Sequence, residues 1–126
     1  MSGAAAAVTT RLIDIVFPGA TNHHGTLFGG AGLALMDRVA FIAAAGHSRR
    51  AVVMAAAPAV AFAREIRPGA IIEVEARRAR AGRSSMTVET RLWSENLGTG
   101  ERYRCGTGTF VMVAVDADHR PVPVHV

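Results

Sequence analysis

Asp37 is the residue in this chain whose setting most suggests chemistry. On a helix its same-face neighbours are Leu33, Ala34, Ala40 and Phe41, all apolar, while the adjacent Arg38 points elsewhere. A carboxylate on an apolar face is costly unless it has a partner or a task, and such a setting suits a general base or a nucleophile. The other reading is a structural Asp paired across the fold, for instance with His24, Asn22 or an Arg. Upstream, the polar segment Thr21-Asn22-His23-His24-Gly25-Thr26 leads into Leu27-Phe28-Gly29-Gly30. Gly29 and Gly30 lack a Cβ, so a ligand can approach the backbone closely there. The first N–H groups of a helix have no intrahelical partners and lie at the positive end of its dipole. Together these suit a carbonyl oxygen that gains negative charge during a reaction. The plainer reading is that the two glycines ease tight packing where a helix begins. Asp37 lies about two helical turns beyond Gly30, roughly 10 Å. That is a long reach within one chain, so two subunits packed helix against helix could supply donor and base separately.

Other constellations carry less. His23, His24, His47, His119 and His125 show no i,i+4 pair and no Cys partner, so no metal site is expected. Cys105 reads as a small packing residue in a strand. Gly25-Thr-Leu-Phe-Gly29 fits neither a P-loop nor a dinucleotide fingerprint. Arg49-Arg50 and the cluster Arg77, Arg78, Arg80 and Arg83 read as solvated rims. Arg83, in the turn Gly82-Arg-Ser-Ser85, is the best phosphate candidate, because nearby hydroxyls and turn N–H groups could join it.

The elements that must position these residues are legible in outline. Thr10 to Phe17 reads as a strand stopped by Pro18-Gly19. Leu27 to Ala45 reads as a helix closed by Gly46 at its C-cap, apolar all round and so wrapped by other structure. Ala51 to Ala63, Ile71 to Ala81, Met86 to Leu97 and Arg102 to Val115 read as strands, separated by short turns that join antiparallel neighbours. Met86-Thr-Val-Glu-Thr-Arg-Leu-Trp93 alternates apolar and polar, the mark of a sheet with one wet face. The first nine residues, 1–9, read as a flexible N-terminus, 10–118 as the single domain, and 119–126 as a loose tail. A single buried helix needs a sheet curved around it, and a five-stranded sheet leaves edges at which two subunits could join.

Composition sets outer bounds. A chain of 126 residues, half of them hydrophobic and 19% charged, is one globular domain. The net charge of +4 comes entirely from arginine, all 14 basic residues being Arg, and there are only seven aromatics. No dense basic stripe interleaved with aromatics is present, which argues against nucleic acid as a partner. One cysteine rules out an intramolecular disulfide scaffold, and the Ala-rich start lacks the basic n-region of a signal peptide. The window Leu27 to Gly46 has transmembrane length, but it places Asp37 and Arg38 at its middle, each costing about 2.5–3.5 kcal/mol at a bilayer centre. We therefore expect a cytoplasmic protein with no membrane partner.

Several of these residues together resemble a known family. Thr21-Asn22-x-x-Gly25-x-x-Phe28-Gly29-Gly30 followed by Met36-Asp37 is similar to the signature of hotdog-fold acyl-CoA thioesterases of the YciA/brain acyl-CoA hydrolase type. Arg50-Ala-Val-Val53, the isolated Phe62 before Arg64, Pro68-Gly69, Gly82-Arg-Ser-Ser85 and Phe110-Val-x-Val-Ala-Val-Asp116 match further, so the resemblance spans residues 10 to 118. It implies an α+β hotdog fold, a five-stranded antiparallel sheet wrapped around one long central helix. It also implies an acyl-CoA substrate hydrolysed to free acid, with coenzyme A present only as part of substrate and product and no resident cofactor. Self-association as a dimer, commonly in a hexameric trimer of dimers, is implied too, with active sites at the dimer interface. By position, Asp37 would be the catalytic carboxylate, the Gly30 N–H the oxyanion donor, and Asn22 a residue of the active-site loop from the other subunit. Arg64, Arg83 and Ser84 would lie near the coenzyme A moiety, and Gly29, His24, Thr26 and Phe28 complete the substrate-binding set. Leu33, Met36, Phe28 and Met54 would line the acyl chain. Thr26 stands where close bacterial members commonly carry an acid, Pro58 where Asp or Glu is usual, Glu65 where Pro is usual, and Ala70 where an acid follows Gly69. The remaining readings are a non-catalytic acyl-CoA or lipid-binding module of the same fold and an aryl-CoA thioesterase. A dehydratase of that fold would want a His beside the carboxylate, for which His23 and His24 are loose candidates.

Overall fold

Alternation organises the sheet. Along β4 (Ser85–Glu95), Met86, Val88, Thr90, Leu92 and Ser94 point inward and are buried, while Thr87, Glu89, Arg91 and Trp93 point to the other side. Its neighbours β3 (Ile71–Ala81) and β5 (Arg102–Val115) follow the same rule, with Ile72, Val74 and Ala76 inward on β3 and Phe110, Met112 and Ala114 inward on β5. The computed structural model describes residues 8–124. Two further strands, β1 (Thr9–Ile15) and β2 (Ala51–Phe62), complete an antiparallel sheet in the order β1-β3-β4-β5-β2. The outer face is laced by Arg11 with Glu73 and Glu75, Arg102 with Glu73, and Arg77 with Glu89, at 3.2–3.5 Å.

One helix, α1 (Gly29–Ser48), lies on the inner face. Gly32, Met36, Val39, Ala40, Ala43, Ala44 and Ser48 recur at helical spacing and are the residues it buries. They meet Val74, Val88, Leu92, Phe110 and Met112 in one core. This is the five-stranded sheet and single long helix of the hotdog fold.

The structure departs from the sequence reading in four places. The helix is covered on one side only; Leu33, Ala34, Phe41 and Ile42 on the other side are exposed, so its all-round apolarity is not met within a single protomer. It also passes through Gly46, because Ala44 and Ser48 keep packing against the sheet, and closes at Arg49, which takes the left-handed conformation (φ 57) and donates its N–H to Ala45 O at 2.9 Å. Strands β2 and β3 are not neighbours. The segment 63–70 carries the chain across the end of the sheet, anchored by buried Ile66, whose carbonyl accepts Leu27 N–H at 2.7 Å. Short connections alone do not reveal such a crossover. Finally, the tail is tied down as far as Val124: Val122 N–H bonds Ala114 O, Val124 N–H bonds Arg83 O (both 2.9 Å), and Arg50 Nε reaches Pro123 O. The expected flexible N-terminus falls mostly outside the described residues, but Thr9 already pairs with Arg77 in β1.

Strand β2 is the bare edge. It pairs with β5 alone, slips register around Pro58, and leaves Val53, Met54 and Phe62 exposed along with most of its alanines. Proline, which lacks an N–H, is tolerated on such an edge.

Candidate active site

The start of α1 is built to leave backbone donors open. Phe28 is the N-cap and makes no side-chain cap bond; the first N–H of the helix to find an acceptor is that of Gly32, on Phe28 O at 3.0 Å. The N–H groups of Gly29, Gly30 and Ala31 precede it, at the positive end of a 20-residue helix. A Cβ added at Gly30 would meet nothing within 4 Å, so packing within the protomer does not demand glycine there. The tight glycine is Gly32, where an added Cβ would stand 3.0 Å from Phe62 Cε1, with Gly106 closing on the same ring at 3.2 Å. One edge of the half-exposed Phe62 ring therefore packs against Gly32 and Gly106, and Phe62 lines a pocket of about 280 Å³ together with Thr26, Phe28, Gly29 and Arg64. Arg64 is steered by Tyr103, its guanidinium lying 3.8 Å from the ring centroid. Glu101 beside Tyr103 raises the phenol above its ordinary pKa of 10.0, while Arg64 pulls it the other way.

Asp37 lies further along the same helix. Gly30, Leu33, Ala34, Asp37 and Phe41 form one stripe at i, i+3, i+4, i+7 and i+11, on the side away from the sheet. Every member except Asp37 is apolar. Asp37 is half-buried, and among the described residues no ion pair includes it, which sets aside the structural pairing with His24 or an Arg. Met36, by contrast, is fully buried against the sheet and cannot line an acyl site on this stripe; Leu33, Phe28 and Met54 remain exposed.

The loop before the helix is held by Asn22. Its Oδ1 accepts His24 N–H at 2.9 Å, Thr26 N–H at 3.2 Å and the Thr26 hydroxyl at 3.3 Å, and its backbone N–H bonds Thr26 O at 2.8 Å. Gly25 turns the loop with φ 75. Thr26 is buried by this arrangement, and His24 is exposed with its ring 3.9 Å from that of His23.

A sequence profile described as Thioesterase superfamily matches residues 24–101, more than half of the chain. The chain belongs to the thioesterase superfamily. It is 40% identical over 109 residues to the uncharacterized acyl-CoA thioester hydrolase YkhA of Bacillus subtilis, covering 86% of this chain and 63% of that protein. Its fold superposes on an acyl-CoA hydrolase from Agrobacterium tumefaciens with a TM-score of 0.86 at 46% identity, covering 92% of this chain and 45% of the other. It superposes on a hexameric apo acyl-CoA thioesterase with a TM-score of 0.89 at 40% identity, covering 92% and 74%. The chain thus spans less than two thirds of the length of the first two relatives.

In this thioesterase-superfamily chain the expected site residues fall into separate groups. Thr26, Phe28, Gly29 and Arg64 share the pocket at the start of α1, and Asn22 and His24 belong to the loop leading to it. Arg83 and Ser84 lie at the opposite end of the sheet. Arg64 N–H reaches Cys105 O, whereas Ser84 O accepts Ala114 N–H, and those two β5 positions are roughly 30 Å apart along the strand. A single protomer therefore does not gather Arg64 with Arg83 and Ser84. Sequence reasoning missed Tyr103 as the partner of Arg64, because nothing local links residues on separate elements, and it missed Gly32, whose i+3 spacing from Gly29 was the available signal.

Asn22 offers a clean separation of roles. Asn22→Ala removes three accepted hydrogen bonds and should leave the 22–26 loop open to limited proteolysis. Asn22→Asp keeps the accepting oxygen and should protect the loop like the parent, while losing the amide donor. If the alanine variant resists protease as the parent does, Asn22 does not hold the loop.

Proposed function

We propose that this chain hydrolyses acyl-CoA thioesters to free carboxylic acid and coenzyme A. The observation that carries the reading is Asp37, an unpaired, half-buried carboxylate on a bare apolar helix stripe that begins at the uncapped Gly29–Gly30 turn. In this reading the Gly30 N–H holds the thioester oxygen, a donor of a kind worth about 2.7–4 kcal/mol to the transition state. Asp37 takes a proton from water as the water oxygen adds to the carbonyl carbon. The tetrahedral oxyanion then collapses, the carbon–sulfur bond breaks, and the departing thiolate takes up the proton. Direct attack by Asp37, with water cleaving the resulting anhydride, uses the same groups. Water and these residues suffice, so no resident cofactor is needed.

Because Gly30 and Asp37 are about two turns apart on one helix, the donor and base that meet one thioester come from two subunits. The exposed stripe of α1 and the unpaired edge of β2 are the bare surfaces for that pairing; a similar thioesterase is hexameric, an assembly in which three such dimers would combine. Phe28, Leu33 and Met54 then line the acyl chain. Arg64 and, from another subunit, Arg83 and Ser84 flank the coenzyme A moiety, with Gly29, Thr26 and His24 around the thioester.

A thiol-release assay over a panel of acyl-CoAs, with phenylacetyl- and hydroxybenzoyl-CoA beside fatty acyl-CoAs, tests this. Release from fatty acyl-CoAs is the expected result. Release from aryl substrates alone would make the chain an aryl-CoA thioesterase, and saturable acyl-CoA binding with no thiol released would make it a binding module.

A further inference from the structure

At the end of α1 remote from the Gly29–Gly30 turn, a second pocket of about 460 Å³ opens between the last turn of the helix and the edge of the sheet. Arg78 reaches it from a position that continues the inward series Ile72, Val74 and Ala76, so the chain spends a core-facing site on a guanidinium. Among the described residues, the buried Nε and Nη1 of Arg78 have no hydrogen-bond partner, and neither has the buried His47 Nε2 on the facing helix. Buried polar groups are nearly always satisfied, and leaving one unpaired is costly. Arg11, Arg77 and Arg102 each find a glutamate, whereas among the described residues Arg78 has none. Among the described residues, the charged and titratable groups around the pocket are Arg49, Arg78 and His47, with no carboxylate, and Val8, Ile42 and Ala43 supply an apolar wall. The negative end of the helix dipole draws cations to this place, but no helix carbonyl accepts from Arg78.

We propose that this pocket binds a carboxylate carried on a short apolar chain, the head group held by Arg78 and Arg49 and the tail lying against Ile42, Ala43 and Val8. A planar guanidinium meets a carboxylate with two parallel N–H donors along one edge, so a carboxylate on the Nη1–Nη2 edge gives the orphaned Nη1 an acceptor. The apolar wall selects an amphiphile over a bare inorganic anion. Burial and the neighbouring Arg78 charge hold His47 below its usual pKa of 6.5, and a bound anion would raise it again. The site uses none of the residues assigned to thioester hydrolysis.

Calorimetry of the full chain with acetate, butyrate, octanoate and inorganic phosphate, beside an NMR titration of the His47 ring, is the test. Octanoate should bind most tightly and shift His47 upward in pKa, and Arg78→Met should weaken that binding by at least about tenfold while folding normally. Should Arg78→Met fail to fold, the exposed Arg49→Gln serves instead, with the same direction expected. Octanoate binding that leaves His47 unmoved, or that survives both substitutions, overturns the proposal, as does tighter binding of phosphate than of any carboxylate. Because binding is read directly, failure here is distinguishable from an absence of thiol release.

Discussion

Asp37→Asn should lower the rate of thiol release from acyl-CoA by at least about a hundredfold, the lower end of what a positioned base contributes. The amide keeps the size of the side chain and its place on the apolar stripe, so folding and assembly should be unchanged by size-exclusion chromatography and circular dichroism. Asp37→Ala should lose as much, with KM moving less than kcat, because the carboxylate is assigned to the reaction rather than to holding the substrate. Parent-like turnover in both variants would remove Asp37 from the chemistry and with it the hydrolysis mechanism. A structural salt-bridge partner would make loss of stability the dominant effect, and among the described residues Asp37 has none to lose.

The largest effect on stability is expected at Phe110. Its ring is fully buried on the inner face of β5 and fills the space beside Gly108, where an added Cβ would stand 2.8 Å from Phe110 Cε2 and 2.9 Å from Thr90 Oγ1. The Thr90 hydroxyl donates to Gly108 O at 3.1 Å beneath it. Phe110→Ala leaves a cavity against that polar pair and should destabilise by about 3–5 kcal/mol, read from urea unfolding at one fixed protein concentration. A loss under about 1 kcal/mol would mean that the site collapses around the missing ring, contrary to the close packing of its neighbours.

Local patterns were legible in the sequence and non-local ones were not. The alternation of β4 and the existence of α1 follow from local spacing, and the helical repeat places Leu33, Ala34 and Phe41 beside Asp37, whereas Ala40, expected on the same face, turns to the sheet and is buried. Neither the resemblance that put Met36 with the acyl-chain residues nor a helix apolar on all sides tells which side meets the sheet, and Met36 is on that side. The run of arginines that ends β3 reads as a rim, and the register slip between Arg78 and Arg80 interrupts the alternation that would mark Arg78 as inward-facing. The stacking of Arg64 on Tyr103 and the tethering of Val124 to Arg83 join segments far apart in the chain, which no periodicity can reveal. Asn22 was legible as a site residue, but its main visible work is to accept the hydrogen bonds that shape its own loop.

The strand order carries a consequence for biosynthesis. On the ribosome β1 and β2 emerge first, yet β1 has no place until β3 follows, and β2 must wait for β5, since Ala51 pairs with Val115 and Phe62 with Gly106. The nascent β3–β4–β5 meander can close on its own neighbours as it is made. The alanine-rich β2, by contrast, waits as an apolar segment with no hydrogen-bonding partner until β5 is made, the condition in which a growing chain most needs shielding by chaperones.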